Sequence, residues 1–312
     1  MSKKSYIFHK TATLLVGVLL LTSCLKEDYS NCPEDIRVYF DVAPSTSMDD
    51  LDQMNLYVFD SDGRYLQEYH DGHIPDFSPD DYYINCSDLL PGKYRFIAWS
   101  GKDETCYSTM PEPFVKGKTA FDEALLKLEC SGMIIVTALH HLFHSELPAT
   151  VMKTKSQRFI MPLAQLTNTI HIRTIGLPAD NDDYSFNIID NNSDYFFDAS
   201  FANDIGDAAF NYISNYSGNA LNQPNATLNV MRLEKNRRTP KLLILNKTAG
   251  TTIFPASTHT GDLIELILTA NPQNNFETTH TYDIIIKFAG DTSVISITVN
   301  GWEVLLQNVE LY

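Results

Sequence analysis

Apolar side chains recur at every second position in short runs, and this period constrains the fold more than any other feature of the chain. Ile36, Val38, Phe40 and Val42 alternate with Arg37, Tyr39 and Asp41, the pattern of a strand with one face buried and one wet. Met54, Leu56 and Val58 repeat it. The turn Asp60-Ser61-Asp62-Gly63 and the run RYLQEYH then complete a hairpin. Leu90-Pro91-Gly92 leads into KYRFIAWS, apolar on both faces and therefore expected in the middle of a sheet. Phe121 to Leu128 suits either a short amphipathic helix or a strand, and Met133 to Leu139 reads as a compact strand. TNTIHIRTIGL, from Thr167 to Leu177, puts Ile170, Ile172 and Thr174 on one face. From Thr227 the runs TLNVMRL, KLLILN, LIELILT, THTYDIIIKF, SVISITV and WEVLLQNVEL follow with Gly and Asn between them. Residues 178–226, rich in Asn, Asp, Ser and Gly, read as a long loop-rich insertion. The expected class is all-β, an antiparallel sandwich or barrel architecture, in a chain long enough for two domains.

The N-terminus carries an address rather than structure. Lys3, Lys4 and Lys10 precede an apolar run from Thr11 to Thr22, and no acid occurs before Glu27. Those twelve residues would span roughly 18 Å as a helix, against a hydrocarbon core of about 30 Å. A removable signal peptide, residues 1–23, is expected. Leu21-Thr22-Ser23-Cys24 is a lipobox: cleavage falls between Ser23 and Cys24, and the Cys24 thiol takes the lipid. Three acyl chains of the palmitate type hold a protein on a bilayer without a spanning helix. Residues 24–35 then form a lipidated tether. Its Lys26-Glu27-Asp28 resembles the export signal that Bacteroides-type lipoproteins use to reach the outer face of the outer membrane.

Charge excludes some partners. The whole chain has 23 basic and 39 acidic side chains, net −16. Removing residues 1–23 takes three lysines and no acid, which leaves 20 and 39, net −19. Such a surface repels nucleic acid and anionic headgroups.

Cys32, Cys86, Cys106 and Cys130 all lie in the first half, with no C-x-x-C spacing. In an exported protein they are expected to be structural, as disulfides in any of three pairings or as buried thiols, and not metal ligands. His140 and His144 would share a face if 140–147 were helical, with His141 and Glu146 nearby and Pro148 ending the segment. They are not expected to hold a metal, and neither are His70 and His73. Asp60, Asp62 and Gly63 resemble the start of a calcium loop but lack its later ligands, so a turn is expected. There is no G-x-S-x-G, Walker loop, G-x-G-x-x-G after a strand or H-E-x-x-H. The carboxylates sit mainly in turns and loops. The reading is a non-enzyme without a cofactor.

Several segments taken in order carry a family resemblance: the lipobox, then Cys32-Pro33, IRVYFDV, NLYVFDSDGRYL, LPGKYRFIAWSG, LTNTIHIRTIGL and a close on ITVNGWEVL. This order and spacing resemble the FimB-like fimbrial anchor lipoproteins of type V pili, across the whole mature chain. The resemblance implies two tandem transthyretin-like β-sandwich domains, here 36–158 and 159–312. It also implies a place at the base of a surface fibre and fimbrial subunits as partners, joined by β-strand complementation. Two rivals remain. A carbohydrate-binding sandwich would use Trp99 or Trp302 as a stacking platform, although both lie in strand patterns and are expected in the core. A stalk or tip subunit would, if a stalk, show a processing site before a removable first strand. Arg37 lies inside the first strand and Arg158 begins no obvious domain, whereas a tip adhesin has no such requirement.

Overall fold

The computed structural model describes residues 35–304 apart from 45, 47–49, 103–105, 137–138, 153–155, 179–182, 203–207, 218–222 and 257–260. The expected signal peptide and lipidated tether, Cys24, Cys32 and the run 305–312 therefore lie outside the described residues. In the first half come β1 (Ile36–Val42), β2 (Met54–Asp60), β3 (Tyr65–Asp71), β4 (Tyr83–Asn85), β5 (Gly92–Ser100), β6 (Tyr107–Met110), β7 (Leu125–Leu128), β8 (Ile134–Ile135), β9 (Phe143–Val151) and β10 (Gln157–Gln165). The second half has β11 (Thr167–Ile175), β12 (Tyr184–Asp190), β13 (Asp194–Phe196), β14 (Phe210–Tyr216), β15 (Asn225–Met231), β16 (Lys241–Asn246), β17 (Thr251–Phe254), helix α1 (Leu263–Ala270), β18 (Thr281–Phe288), β19 (Val294–Val299) and β20 (Trp302–Val304).

The protein is all-β, as its period demands. A seven-stranded sheet runs β3-β2-β5-β9-β10-β1-β4; two five-stranded sheets run β15-β11-β18-β19-β20 and β17-β16-β12-β14-β8; a small one runs β13-β7-β6. The sheets are mixed rather than purely antiparallel. β1 pairs with β10, β11 with β18, and β8 with β14, all in parallel. Each of these pairs joins strands far apart in sequence, so no hairpin fixes their direction.

Alternation places the core. Ile36, Val38 and Phe40 face inward with Leu56, Val58, Phe96 and Ala98 in one cluster. Tyr57, Phe59, Ile97 and Trp99, on the opposite face of the same sheet, join the cluster that extends through the second half. Being covered on both faces makes β2 and β5 the centre of the first half, as KYRFIAWS predicts. Ile170, Ile172 and Thr174 are buried on one face of β11.

Three sequence expectations fail. LIELILT is the helix α1, not a strand. Asp262 caps it by accepting from Glu265 N at 2.9 Å, and Leu263, Leu266, Ile267 and Ala270 form its buried stripe. These are a Ser/Asp-x-x-Glu start and a 3.6-residue period, which outweigh the apparent strand. Residues 178–226 are no loop insertion. β12 lies inside its sheet between β16 and β14, with Tyr184, Phe186 and Ile188 buried. Among the described residues of Met133 to Leu139, Ile134–Ile135 alone pairs as a strand.

The two halves interlock. β10 spans the expected boundary at 158–159 and belongs to the first sheet through β1. β7 pairs with β13, and β8 with β14, across the midpoint of the chain.

Candidate interaction surface

β1 is stitched in from both sides. Ile36 O accepts from Cys86 N at 2.8 Å, Asp35 O from Gln157 N at 2.9 Å, and Ile36 N donates to Ser87 Oγ at 3.1 Å. Arg37 sits inside β1, as the alternation predicts. Its guanidinium grips Asp35 at 2.7 Å and lies 4.4 Å from the centre of the Tyr83 ring. Arg158, opposite Arg37 on β10, lies 3.9 Å over the Tyr39 ring. Both arginines are packed within a strand, a poor setting for a protease cut.

Of the cysteines, Cys86 is fully buried in the first-half core. Burial pushes its thiol up to about 12, so it is inert as a nucleophile. Cys106 and Cys130 pack on the other side of the large sheet, against the second-half cluster. There Glu129 N donates to Cys106 O at 2.7 Å.

The histidines are not on a helix. Residues 143–151 form β9, and the pairing of His144 with Trp99 on β5 extends that segment straight through Pro148. Proline is tolerated there because β10 pairs with β9 only at Phe143 and His144. His144 is buried, its Nε2 is 2.9 Å from Phe197 O, and burial drives its pKa down to about 4. The imidazole is therefore neutral, with Nε2 donating. His141 Nδ1 meets Thr167 Oγ1 at 2.9 Å, and His70 Nδ1 meets Asn55 Oδ1 at 2.8 Å; His73 and His140 are exposed. Glu146 faces Arg95 at 3.3 Å. Asp60 spends its carboxylate on the hairpin turn, accepting from Asp62 N and Arg64 N at 2.9 Å each, while Gly63 takes φ +72°.

Trp99 is in the core, its ring 4.6 Å from that of His144. Trp302 departs from the expectation and is 63% exposed. It begins the strand β20 directly after Asn300-Gly301, a turn with φ +47° and +80°, and among the described residues β20 is the edge of its sheet.

Sheet edges are where this fold can meet another chain. In the large sheet β3 is screened: Tyr65 N donates to Thr119 O at 2.9 Å, and Gly117 N to Tyr65 O at 2.8 Å. The other edge is the three-residue β4. The second half ends its sheets on β15, β20, β17 and the two-residue β8. β8 covers only Asn211 and Tyr212 of β14. Such edges present unpaired N–H and C=O groups. A polar patch on the outer face of β11, β15 and β18 was not singled out by sequence, since its His, Arg, Thr and Asp residues are merely the wet half of an alternation.

The model of the fimbrillin-A associated anchor proteins Mfa1 and Mfa2 matches residues 29–308. Among solved structures, the fimbrial anchor protein Mfa2 from Porphyromonas gingivalis is similar at 21% identity and TM-score 0.66, over 88% of this chain and 99% of that one. A Bacteroides thetaiotaomicron protein named as a candidate polysaccharide-binding protein gives 22% and 0.69, over 86% and 96%. A candidate adhesin from the same organism gives 18% and 0.68, over 89% and 100%. No curated protein matches. The structural likenesses establish a shared fold, and with the family match over nearly the whole chain they lead to one conclusion: this protein belongs to the fimbrillin-A associated anchor family.

Proposed function

We propose that the protein is an outer-membrane lipoprotein that anchors a type V-like fimbria and does no catalysis. The observation that carries this reading is the family match over residues 29–308, joined to the lipobox that ends on Cys24. Signal cleavage after Ser23 and lipidation of Cys24 fix one end on the outer leaflet. The body behind the tether is a tandem of transthyretin-like sandwiches that interlock. A fibre subunit docks by pairing a strand with one of the open edges, where main-chain hydrogen bonds supply affinity and side-chain pockets supply specificity. β1 stays in place, because removing it would cut the fibre from its lipid. Cys32, Cys86, Cys106 and Cys130 are structural, as disulfides or as buried thiols, and the burial of Cys86 supports this.

The experiment is gene deletion beside a Cys24→Ala replacement. Both strains should make fibres and shed them into the medium. Fibres retained on the cell at normal number and length in both strains would refute the anchor role. A tip-adhesin reading, which the names of the Bacteroides relatives favour, would then take its place.

A further inference from the structure

The outer face of β15, β11 and β18 holds a concavity of about 560 Å³ whose lining includes His171, Arg173, Ile175, Asn225, Asp283 and Ile285. Strand register builds it. Thr227, His171 and Asp283 form one row across the three strands, and Asn225, Arg173 and Ile285 form the next. Same-face rows lie roughly 7 Å apart, on strands about 4.8 Å apart. The buried side of the same strands, with Ile170, Ile172 and Ile284 at 0% exposure, makes the platform rigid.

The rim is fixed by hydrogen bonds. Thr174 Oγ1 donates to Pro224 O at 2.7 Å, and Asn225 Nδ2 donates to Gln223 O at 2.9 Å. His171 Nδ1 meets Thr227 Oγ1 at 2.9 Å, which leaves Nε2 for a ligand. Arg173 and Asp283 are exposed, and neither takes part in the ion pairs formed among the described residues. They sit on neighbouring strands, one row apart, with their charges unspent.

In a chain of net charge −16 most of the surface turns anions away, so an open guanidinium inside a concavity selects for one. The fork of Arg173 suits a carboxylate. Asp283 can only accept when ionised, and so suits hydroxyl donors beside that carboxylate. His171 and Asn225 add donors, and Ile175 with Ile285 offers an apolar patch for C–H groups. The uronic acid residue of an acidic polysaccharide carries a carboxylate, adjacent hydroxyls and a C–H face together. A peptide C-terminus would satisfy Arg173 and offer its one amide N–H to Asp283, whereas a sugar ring presents adjacent hydroxyls to both Asp283 and His171. The Arg173 row alone continues across the sheet, through Ile285 and Thr298 to the acidic Glu303, so a carboxylate is favoured at the Arg173 end of that row.

We infer that this face is a binding site for acidic polysaccharide, with a uronate carboxylate on Arg173 and its hydroxyls on Asp283 and His171. The site is separate from the sheet edges and does not depend on the anchor role. Calorimetric titration of the full chain with trigalacturonic acid tests it, with maltotriose and glycylglycine as comparisons. Trigalacturonate should bind, more weakly as salt rises, and neither comparison should match it. Arg173→Gln should lower its affinity roughly tenfold or more, Arg173→Lys should fall between, and Asp283→Asn should lose less than Arg173→Gln. Lys93→Gln, in the other half, should bind as wild type does. All four variants lie on exposed side chains, and equal melting temperatures would tie the losses to contact. Absence of trigalacturonate binding, or unchanged binding by Arg173→Gln, would overturn the site. Equal binding of maltotriose would overturn the acidic class, and preferred binding of glycylglycine would replace the sugar with a peptide terminus.

Discussion

Asp190 and His144 are both buried, and burial pushes their protonation equilibria in opposite senses. Asp190 rises from 3.8 to about 6 because desolvation outweighs its bonds to Thr239 and Asn191 N. His144 falls from 6.5 to about 4, again by desolvation. For Asp190 the folded value lies above the unfolded one. Its penalty is complete above pH 6 and lifts as pH drops from about 6 to about 4. For His144 the folded value lies below the unfolded one, so stability is lost as pH drops from about 6.5 to about 4, when only the unfolded chain takes the proton. Each effect is on the order of 3 kcal/mol, and over this shared window they oppose each other. Denaturant titrations at several pH values should unmask them singly. Relative to wild type, His144→Gln should gain stability on acidification and Asp190→Asn should lose it. Parallel pH profiles for all three proteins would contradict this. Neither effect was legible in the sequence. Asp190-Asn191-Asn192-Ser193 looks like a loop by composition, yet all four are buried. Tyr212 OH donates to Asn192 Oδ1 at 3.0 Å, Asn192 Nδ2 to Met231 O at 3.0 Å, and Thr239 Oγ1 to Asp190 Oδ1 at 2.6 Å. Composition registers polarity but not whether protein or water satisfies it.

Among elements, α1 shows how much a short segment hides. Its eight residues contain enough Leu and Ile to pass for a strand, and only the cap and the spacing of its buried stripe distinguish it. Asp262 does three jobs there. It accepts from Glu265 N, and its Oδ2 faces Arg238 at 3.3 Å and Lys241 at 3.4 Å. Asp262→Ala should cost about 1–2 kcal/mol in urea denaturation, from a lost cap and two weakened ion pairs. Asp262→Asn keeps a capping oxygen and should cost less. Equal losses would show that charge, not the cap, holds this helix end. The long alternating strands were legible by contrast. β1 and β11 appear where their period places them, since a one-residue slip would turn their apolar face to solvent, and β2 and β5 appear where runs apolar on both faces place central strands. β8 and β13, at two and three residues, are too short to carry any period.

Those two short strands decide how the whole molecule behaves. Each comes from one half of the chain and completes a sheet of the other. Phe197, next to β13, is the side chain that the second half sends deepest into the first. It is fully buried, with its ring 5.0 Å from Tyr57, 5.3 Å from Phe114 and 6.0 Å from both Phe59 and Trp99. Its carbonyl takes the His144 hydrogen bond. This exchange crosses the expected domain boundary at 158–159. Residues 36–166 alone would expose the Tyr57, Phe59 and Trp99 face that Phe197 covers, and residues 167–312 alone would leave Phe197 in water. The two halves should therefore unfold together. In a Trp302→Phe background, thermal or denaturant unfolding followed by tryptophan fluorescence, which then reports on Trp99 in the first half, should coincide with far-UV circular dichroism, which reports on every sheet. Phe197→Ala should lower both curves together, by about 3–5 kcal/mol. Two separate transitions, with Phe197→Ala moving only one, would mean that the halves are autonomous and that the strand exchange contributes little. On the proposed anchor role, a single cooperative unit has a mechanical consequence. A pull applied at an edge in the second half reaches the tether in the first through Phe197, β7–β13 and β8–β14, rather than through the single covalent crossing between β10 and β11.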